Sequence, residues 1–187
     1  MTVDVQQASI SNVGKQQNVM NVSKTFQLKI SFRDSNVPKN NFKNVENEDS
    51  NITFKQDGSR FPTSQRTIKL FTNCKYQILL NSKPAQEFSS LHIAGSDLEL
   101  IPEKGQSSGN YSAIWDTVGI EPTRRGGRQD ILFVLEGQNK NLNKKLQTKF
   151  YGKLNSHGTN GHRFEALVWN CEINLNGQIN ITDEKII

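Results

Sequence analysis

Phe26-Gln27-Leu28-Lys29-Ile30-Ser31-Phe32 is the stretch that decides the fold class. Apolar and polar residues alternate along it without a break. An extended chain has a side-chain period of two, so Phe26, Leu28, Ile30 and Phe32 share one face and Gln27, Lys29 and Ser31 the other. Such a strand lays one face on a core and leaves the other in water. Downstream, short apolar runs recur at residues 67–71, 75–80, 91–94, 98–101, 111–115, 131–135, 146–154 and 164–172. Tyr76, Ile78 and Leu80 repeat the alternation, as do Leu146, Thr148 and Phe150. Turn residues separate the runs: Asn81-Ser82-Lys83-Pro84, Gly95-Ser96-Asp97, Gly105 to Gly109 and Asn155 to Gly161. Asp57-Gly58 supplies the positive φ angles of a tight hairpin between Ile52-Thr53-Phe54 and Arg60-Phe61. No window keeps a helical period between caps. The pattern predicts an all-β fold, an antiparallel β-sandwich or flattened β-barrel of about ten strands.

Around this framework the chain is polar. Residues 1–24 are rich in Gln, Asn, Val and Ser without a sustained period, and read as a flexible arm. Residues 33–51 are dominated by Asn, Asp, Glu, Lys and Ser, and read as a mobile insertion. Residues 25–173 then form a single domain, and 174–187 a C-terminal tail. The chain has 187 residues, of which 34% are hydrophobic, enough for one core and not for two. No apolar stretch reads as a signal peptide or reaches the length of a membrane span, so a soluble cytosolic protein is expected. Cys74 and Cys171 lie far apart among apolar neighbours, which suits two buried thiols rather than a disulfide framework.

Catalytic and cofactor patterns are missing. There is no phosphate-binding or dinucleotide glycine loop, no nucleophile elbow and no zinc-protease helix motif. His157 and His162 lie five apart without a Cys or carboxylate at ligand spacing. We therefore expect no enzyme, no metal and no cofactor. The net charge of +5 allows an acidic partner or surface but falls short of a dedicated nucleic-acid binder, so no nucleic acid is expected.

The most unusual segment runs Trp115-Asp116-Thr117-Val118-Gly119-Ile120-Glu121-Pro122-Thr123-Arg124-Arg125-Gly126-Gly127-Arg128-Gln129-Asp130. It places three arginines around a glycine pair. Guanidinium groups grip carboxylates and phosphates through a planar fork, which suits a docking loop for an acidic or phosphorylated tail. The same charges also suit a solvated loop, and composition alone leans slightly that way.

Taken in order, several motifs resemble the cannabinoid receptor-interacting protein family over roughly residues 26–172. They are Asp57-Gly58-Ser59-Arg60-Phe61, Arg66-Thr67-Ile68-Lys69-Leu70-Phe71 with Tyr76, and Trp115-Asp116-Thr117-Val118-Gly119 with Pro122-Thr123-Arg124 and Arg128-Gln129. Lys149-Phe150-Tyr151 and Cys171-Glu172 complete the set. The resemblance implies a sandwich or barrel like that of Rho GDP-dissociation inhibitors. It implies a non-enzymatic cytosolic adaptor that binds the cytoplasmic C-terminal tail of the type-1 cannabinoid receptor, a G-protein-coupled receptor, and modulates its signalling. A G-protein α subunit is a further candidate partner. The protein would be a monomer, peripheral to the plasma membrane through the receptor only. Arg124, Arg125 and Arg128 would contact the tail, with Arg60, Arg66 and Lys69 extending the patch. The alternative is a chaperone for a lipidated tail, with Trp115, Phe133, Phe150, Tyr151 and Trp169 lining a slot between the sheets.

Overall fold

The computed structural model describes residues 25–35, 52–56, 66–103, 108–153 and 155–187. Their strands are β1 (Thr25–Asp34), β2 (Thr53–Gln56), β3 (Arg66–Phe71), β4 (Lys75–Lys83), β5 (Ser90–Ile93), β6 (Ser96–Leu98), β7 (Ile101–Pro102), β8 (Asn110–Asp116), β9 (Gln129–Gly137), β10 (Lys140–Tyr151), β11 (His162–Arg163), β12 (Leu167–Ile173) and β13 (Ile179–Ile186). A 3-10 turn spans Ser156–Gly158. The flexible arm expected at 1–24 and the hairpin turn at Asp57-Gly58 lie outside the described residues. So does most of the expected insertion, although Arg33 and Asp34 belong to β1.

β1 behaves as its alternation predicts. Phe26, Leu28, Ile30 and Phe32 are buried while Gln27 and Lys29 are exposed. Burying each of those four side chains contributes about 1.5–3 kcal/mol, which fixes the register of the strand. β1 is central: it pairs antiparallel with β12 on one side and β4 on the other. The sheet runs β13-β12-β1-β4-β8-β7. A second sheet, β11-β2-β3-β10-β9-β5-β6, faces it. Ile68, Leu70, Leu91, Ile93, Ile131, Phe133, Leu135, Leu142, Leu146 and Phe150 line its inner face. The result is a sandwich of six- and seven-stranded sheets rather than a closed barrel.

Three features depart from the sequence reading. First, the pairing is not wholly antiparallel, because β3 and β10 run parallel from Ile68 opposite Thr148 to Phe71 opposite Tyr151. Alternation fixes which face is buried but carries no information on strand direction, and the long crossover through the other sheet permits the parallel pair. Second, the segment expected as a C-terminal tail contains β13, an edge strand paired along β12. A bulge between Asn170 and Cys171 shifts its register, so its buried positions do not keep one parity. Third, β10 begins at Lys140, before the apolar run at 146–154. A hairpin turn with Asn139 at φ +56° leads into it, and Leu142 is fully buried.

Candidate docking face on the β8–β9 loop and β10

The loop from β8 to β9 crosses one end of the sandwich, and its backbone is fixed at three places. The first is Thr117. Its N–H donates to the Cys74 carbonyl at 2.9 Å, and its carbonyl accepts from Asn73 N–H at 3.3 Å. Its hydroxyl accepts from Cys74 N–H at 2.9 Å and donates toward the carbonyls of Phe71 (3.0 Å) and Cys74 (2.9 Å). Asp116 Oδ1 then accepts Val118 N–H at 3.0 Å, turning the chain out of the strand. The second fixed place is Thr123, whose N–H donates to the Phe150 carbonyl while its hydroxyl accepts Phe150 N–H, both at 3.0 Å. The third is the turn in which Gly127 N–H donates to the Arg124 carbonyl at 2.9 Å. Gly126 sits there at φ +78°, a conformation that side chains with a Cβ resist.

This placement sorts the candidate residues. Arg124 and Arg125 are exposed, and among the described residues neither guanidinium has an ion-pair or hydrogen-bond partner. Arg128 is exposed too, but its Nη1 donates to Gln147 Oε1 at 3.2 Å. Gln147 Oε1 also accepts the Thr67 hydroxyl at 2.7 Å, which ties the loop to the outer face of β3 and β10. Arg66 is half-buried at the start of β3. Arg60 lies outside the described residues.

Lys69 does not extend an exposed patch. It is only 8% exposed, and its ammonium donates to the carbonyls of His157 (3.0 Å) and Asn160. Those carbonyls belong to the loop after β10, which folds over the outer face of β3. Gly158 makes that cover possible, because a Cβ there would lie 2.5 Å from the Phe71 ring. Burial pushes the Lys69 pKa down, helped by the charges of Lys55 and Lys149.

The cations that do continue the arginine loop were missed in the sequence. Lys145 and Lys149 share the outer face of β10 with Gln147 and Tyr151, every second residue along the strand. Lys149 Nζ stands 5.4 Å from the Tyr151 ring centroid, and Lys69 Nζ 5.5 Å from it. Lys55 on β2 influences both Lys69 and Tyr151 electrostatically. Asp130, opposite Gln147 on β9, and the exposed Glu121 on the loop itself are acids on this stretch. The available signal was the polar parity of the apolar run at 146–154. Together the loop, whose backbone is fixed, and β10 present several cations with one phenol among them, an arrangement suited to carboxylate or phosphate groups on an extended chain.

The residues considered for a lipid slot divide differently. Trp115, Phe133, Phe150 and Trp169 are fully buried between the sheets. They meet edge to face, Trp115 on Phe150 at 6.2 Å and 77°, Phe133 on Trp169 at 5.6 Å and 86°. Tyr151 lies on the opposite, outer face and lines no such slot. Among the described residues, the indole Nε1 atoms of Trp115 and Trp169 have no hydrogen-bond partner. A recess of about 240 Å³ lies outside the six-stranded sheet, lined by Lys29, Ser31, Arg33, Asn81 and Glu103 among others. Its lining is mostly polar, with Leu79, Leu80 and Tyr111 among it.

Comparisons with known proteins identify relatives over most of the chain. A family model described as CB1 cannabinoid receptor-interacting protein 1 matches residues 40–186, so the match runs through β13. The mouse protein of that name is 29% identical over 136 residues, covering 70% of this chain and 82% of its own. The human protein of that name is 28% identical over the same shares of each chain.

Proposed function

Because this chain belongs to the CB1 cannabinoid receptor-interacting protein 1 family, we propose that it is a non-enzymatic adaptor for a receptor tail. In this reading it binds the cytoplasmic C-terminal tail of a G-protein-coupled receptor of the type-1 cannabinoid kind and modulates its signalling. The observation that carries the reading is the pair Arg124 and Arg125, exposed and unpaired among the described residues on a loop whose backbone is already fixed. A fixed loop loses little entropy on binding. A charge-assisted hydrogen bond from each guanidinium is worth about 1.5–3 kcal/mol where the tail shelters it, and about 0–1 kcal/mol at an open rim. Arg128, Lys145 and Lys149 prolong the cationic track along β10. The receptor holds the adaptor at the inner face of the plasma membrane, and a G-protein α subunit on the same receptor is the second partner.

The test is a pull-down from membranes of cells expressing the type-1 cannabinoid receptor, immunoblotted for that receptor. Wild-type protein should retain it, and the variant with Arg124, Arg125 and Arg128 changed to alanine should retain little. Equal recovery by both would remove the loop from the interface, and no recovery by wild type would remove the receptor.

A further inference from the structure

The outer side of the seven-stranded sheet divides into halves of unlike charge. β11, β2, β3 and β10 are consecutive in that sheet, and none of the four contains an Asp or a Glu. Their outward side chains can be followed by register. Arg163 on β11 stands opposite Thr53 on β2, Thr53 opposite Lys69 on β3, and Lys69 opposite Lys149 on β10. Cross-strand partners share a face, so one row across four strands carries three cations. In the next row Lys55 stands opposite Thr67, whose hydroxyl reaches Gln147 on β10. Lys145 precedes Gln147 by two residues on the same face. Lys55, Lys145 and Arg163 are exposed, Lys149 is half-buried, and Lys69 lies beneath the loop after β10. That loop, residues 152–161, adds no carboxylate.

Among the described residues, carboxylates stand at the margins of this half. Glu165 follows β11, and Asp130 lies on β9 with Glu136 and Asp97 beyond it. Neighbouring strands are about 4.8 Å apart, inside the screening length of about 8–10 Å, so the potentials of adjacent cations add. Burial lowers the Lys69 pKa, and Lys55 and Lys149 lower it further, so the three ammoniums feel one another. Two other side chains suit an interface. Tyr151 stands two residues beyond Lys149, and Leu132, opposite Lys145 on β9, is 44% exposed. Aromatic rings settle at headgroup level, and apolar side chains among lysines reach the acyl boundary.

We infer that this face binds the anionic leaflet of a bilayer directly. Lys55, Lys145, Lys149 and Arg163 meet lipid phosphates and carboxylates, while Leu132 and Tyr151 settle between headgroups. Cations spread over a sheet face fit a surface of many anions, whereas a small ligand takes a concave site. The choice of a bilayer rests on the receptor-tail reading, which sets the protein beside a membrane. The contact itself needs no receptor and adds a second hold to the one through the tail. Arg128, bonded to Gln147, joins the arginine loop to this face.

The test is co-sedimentation of the full chain with sucrose-loaded vesicles, no receptor being present. Phosphatidylcholine vesicles with about 30 mol% phosphatidylserine should bring the protein down, and phosphatidylcholine alone should not. Binding should fall as salt rises from about 0.05 to 0.3 M. Each cation near such a surface is worth about fivefold in partition. Lys55→Gln with Lys149→Gln should therefore lose about tenfold or more. Lys29→Gln with Arg33→Gln removes the same charge from exposed positions outside the other sheet, and should bind as wild type does. Melting temperatures of both should stay near wild type. Equal loss in the two variants reduces the effect to net charge and overturns the inference. Wild type that ignores the anionic vesicles also overturns it, and a single-stranded oligonucleotide bound in the same buffer would then assign the face to nucleic acid. The receptor pull-down is read separately: its failure leaves vesicle binding standing, and failure with vesicles leaves the tail reading standing.

Discussion

Thr117 shows how much of the family-like motif is architecture. Its hydroxyl, fully buried, joins the end of β3, the turn before β4 and the end of β8. Thr117→Val keeps the shape and deletes those bonds, leaving Cys74 N–H without its partner. We expect a loss of about 2–3 kcal/mol, measured by urea unfolding, and a smaller loss in Thr117→Ser. Cys171 behaves as the sequence suggested, a buried free thiol. Burial pushes its pKa up from 9.0 to about 12. A raised pKa means the folded state holds its proton longer than the unfolded one. The contribution is therefore whole below about pH 9 and is lost as pH rises toward about 12. Stability should fall over that window, and less so in Cys171→Ala, which chemical unfolding at a series of pH values would reveal. Unchanged slopes would contradict the assignment. Lys69 was unreadable as a buried cation for a simple reason. Its neighbours on β3 give no hint that the loop after β10 folds over that face, a contact between residues about 90 positions apart.

Among the elements, those with clean alternation were legible and those whose pairing depends on distant partners were not. β1 and β4 follow from residue order, because one buried face and one wet face leave a period of two. β13 was hidden by its bulge and its run Asp183-Glu184-Lys185, which reads as tail although Lys144 holds Glu184 at 2.7 Å. The arginine loop was legible as unusual, but its anchoring through Thr123 on Phe150 was not. β10 contributes the cations that residue order left unremarked. If its outer face continues the arginine track, the double change of Lys145 and Lys149 to alanine should weaken tail binding about two- to tenfold, and less than the triple arginine change. Fluorescence anisotropy with the tail peptide measures both. Full affinity in the lysine variant would confine the site to the loop.

On the scale of the whole molecule, the sandwich separates two tasks. Its interior is filled by rings and aliphatic chains that meet one another, while the chemistry suited to a partner lies on the rim where the β8–β9 loop joins β10. The fold class was legible because every strand needs the same alternation to reach one core. The candidate docking face was legible only in part, because it is assembled from a loop and a strand, β10, whose contact the order of residues does not announce. The central claim is that cations on this rim, carried by a loop with a fixed backbone, bind an acidic tail. Its most direct measurement is the salt dependence of tail-peptide affinity, taken for wild type and for the Arg124, Arg125 and Arg128 alanine variant, across roughly 0.05–0.3 M salt. The account predicts that wild-type affinity falls steeply as salt rises, and that the variant binds more weakly with a flatter slope. Identical affinities and slopes for the two proteins would contradict it.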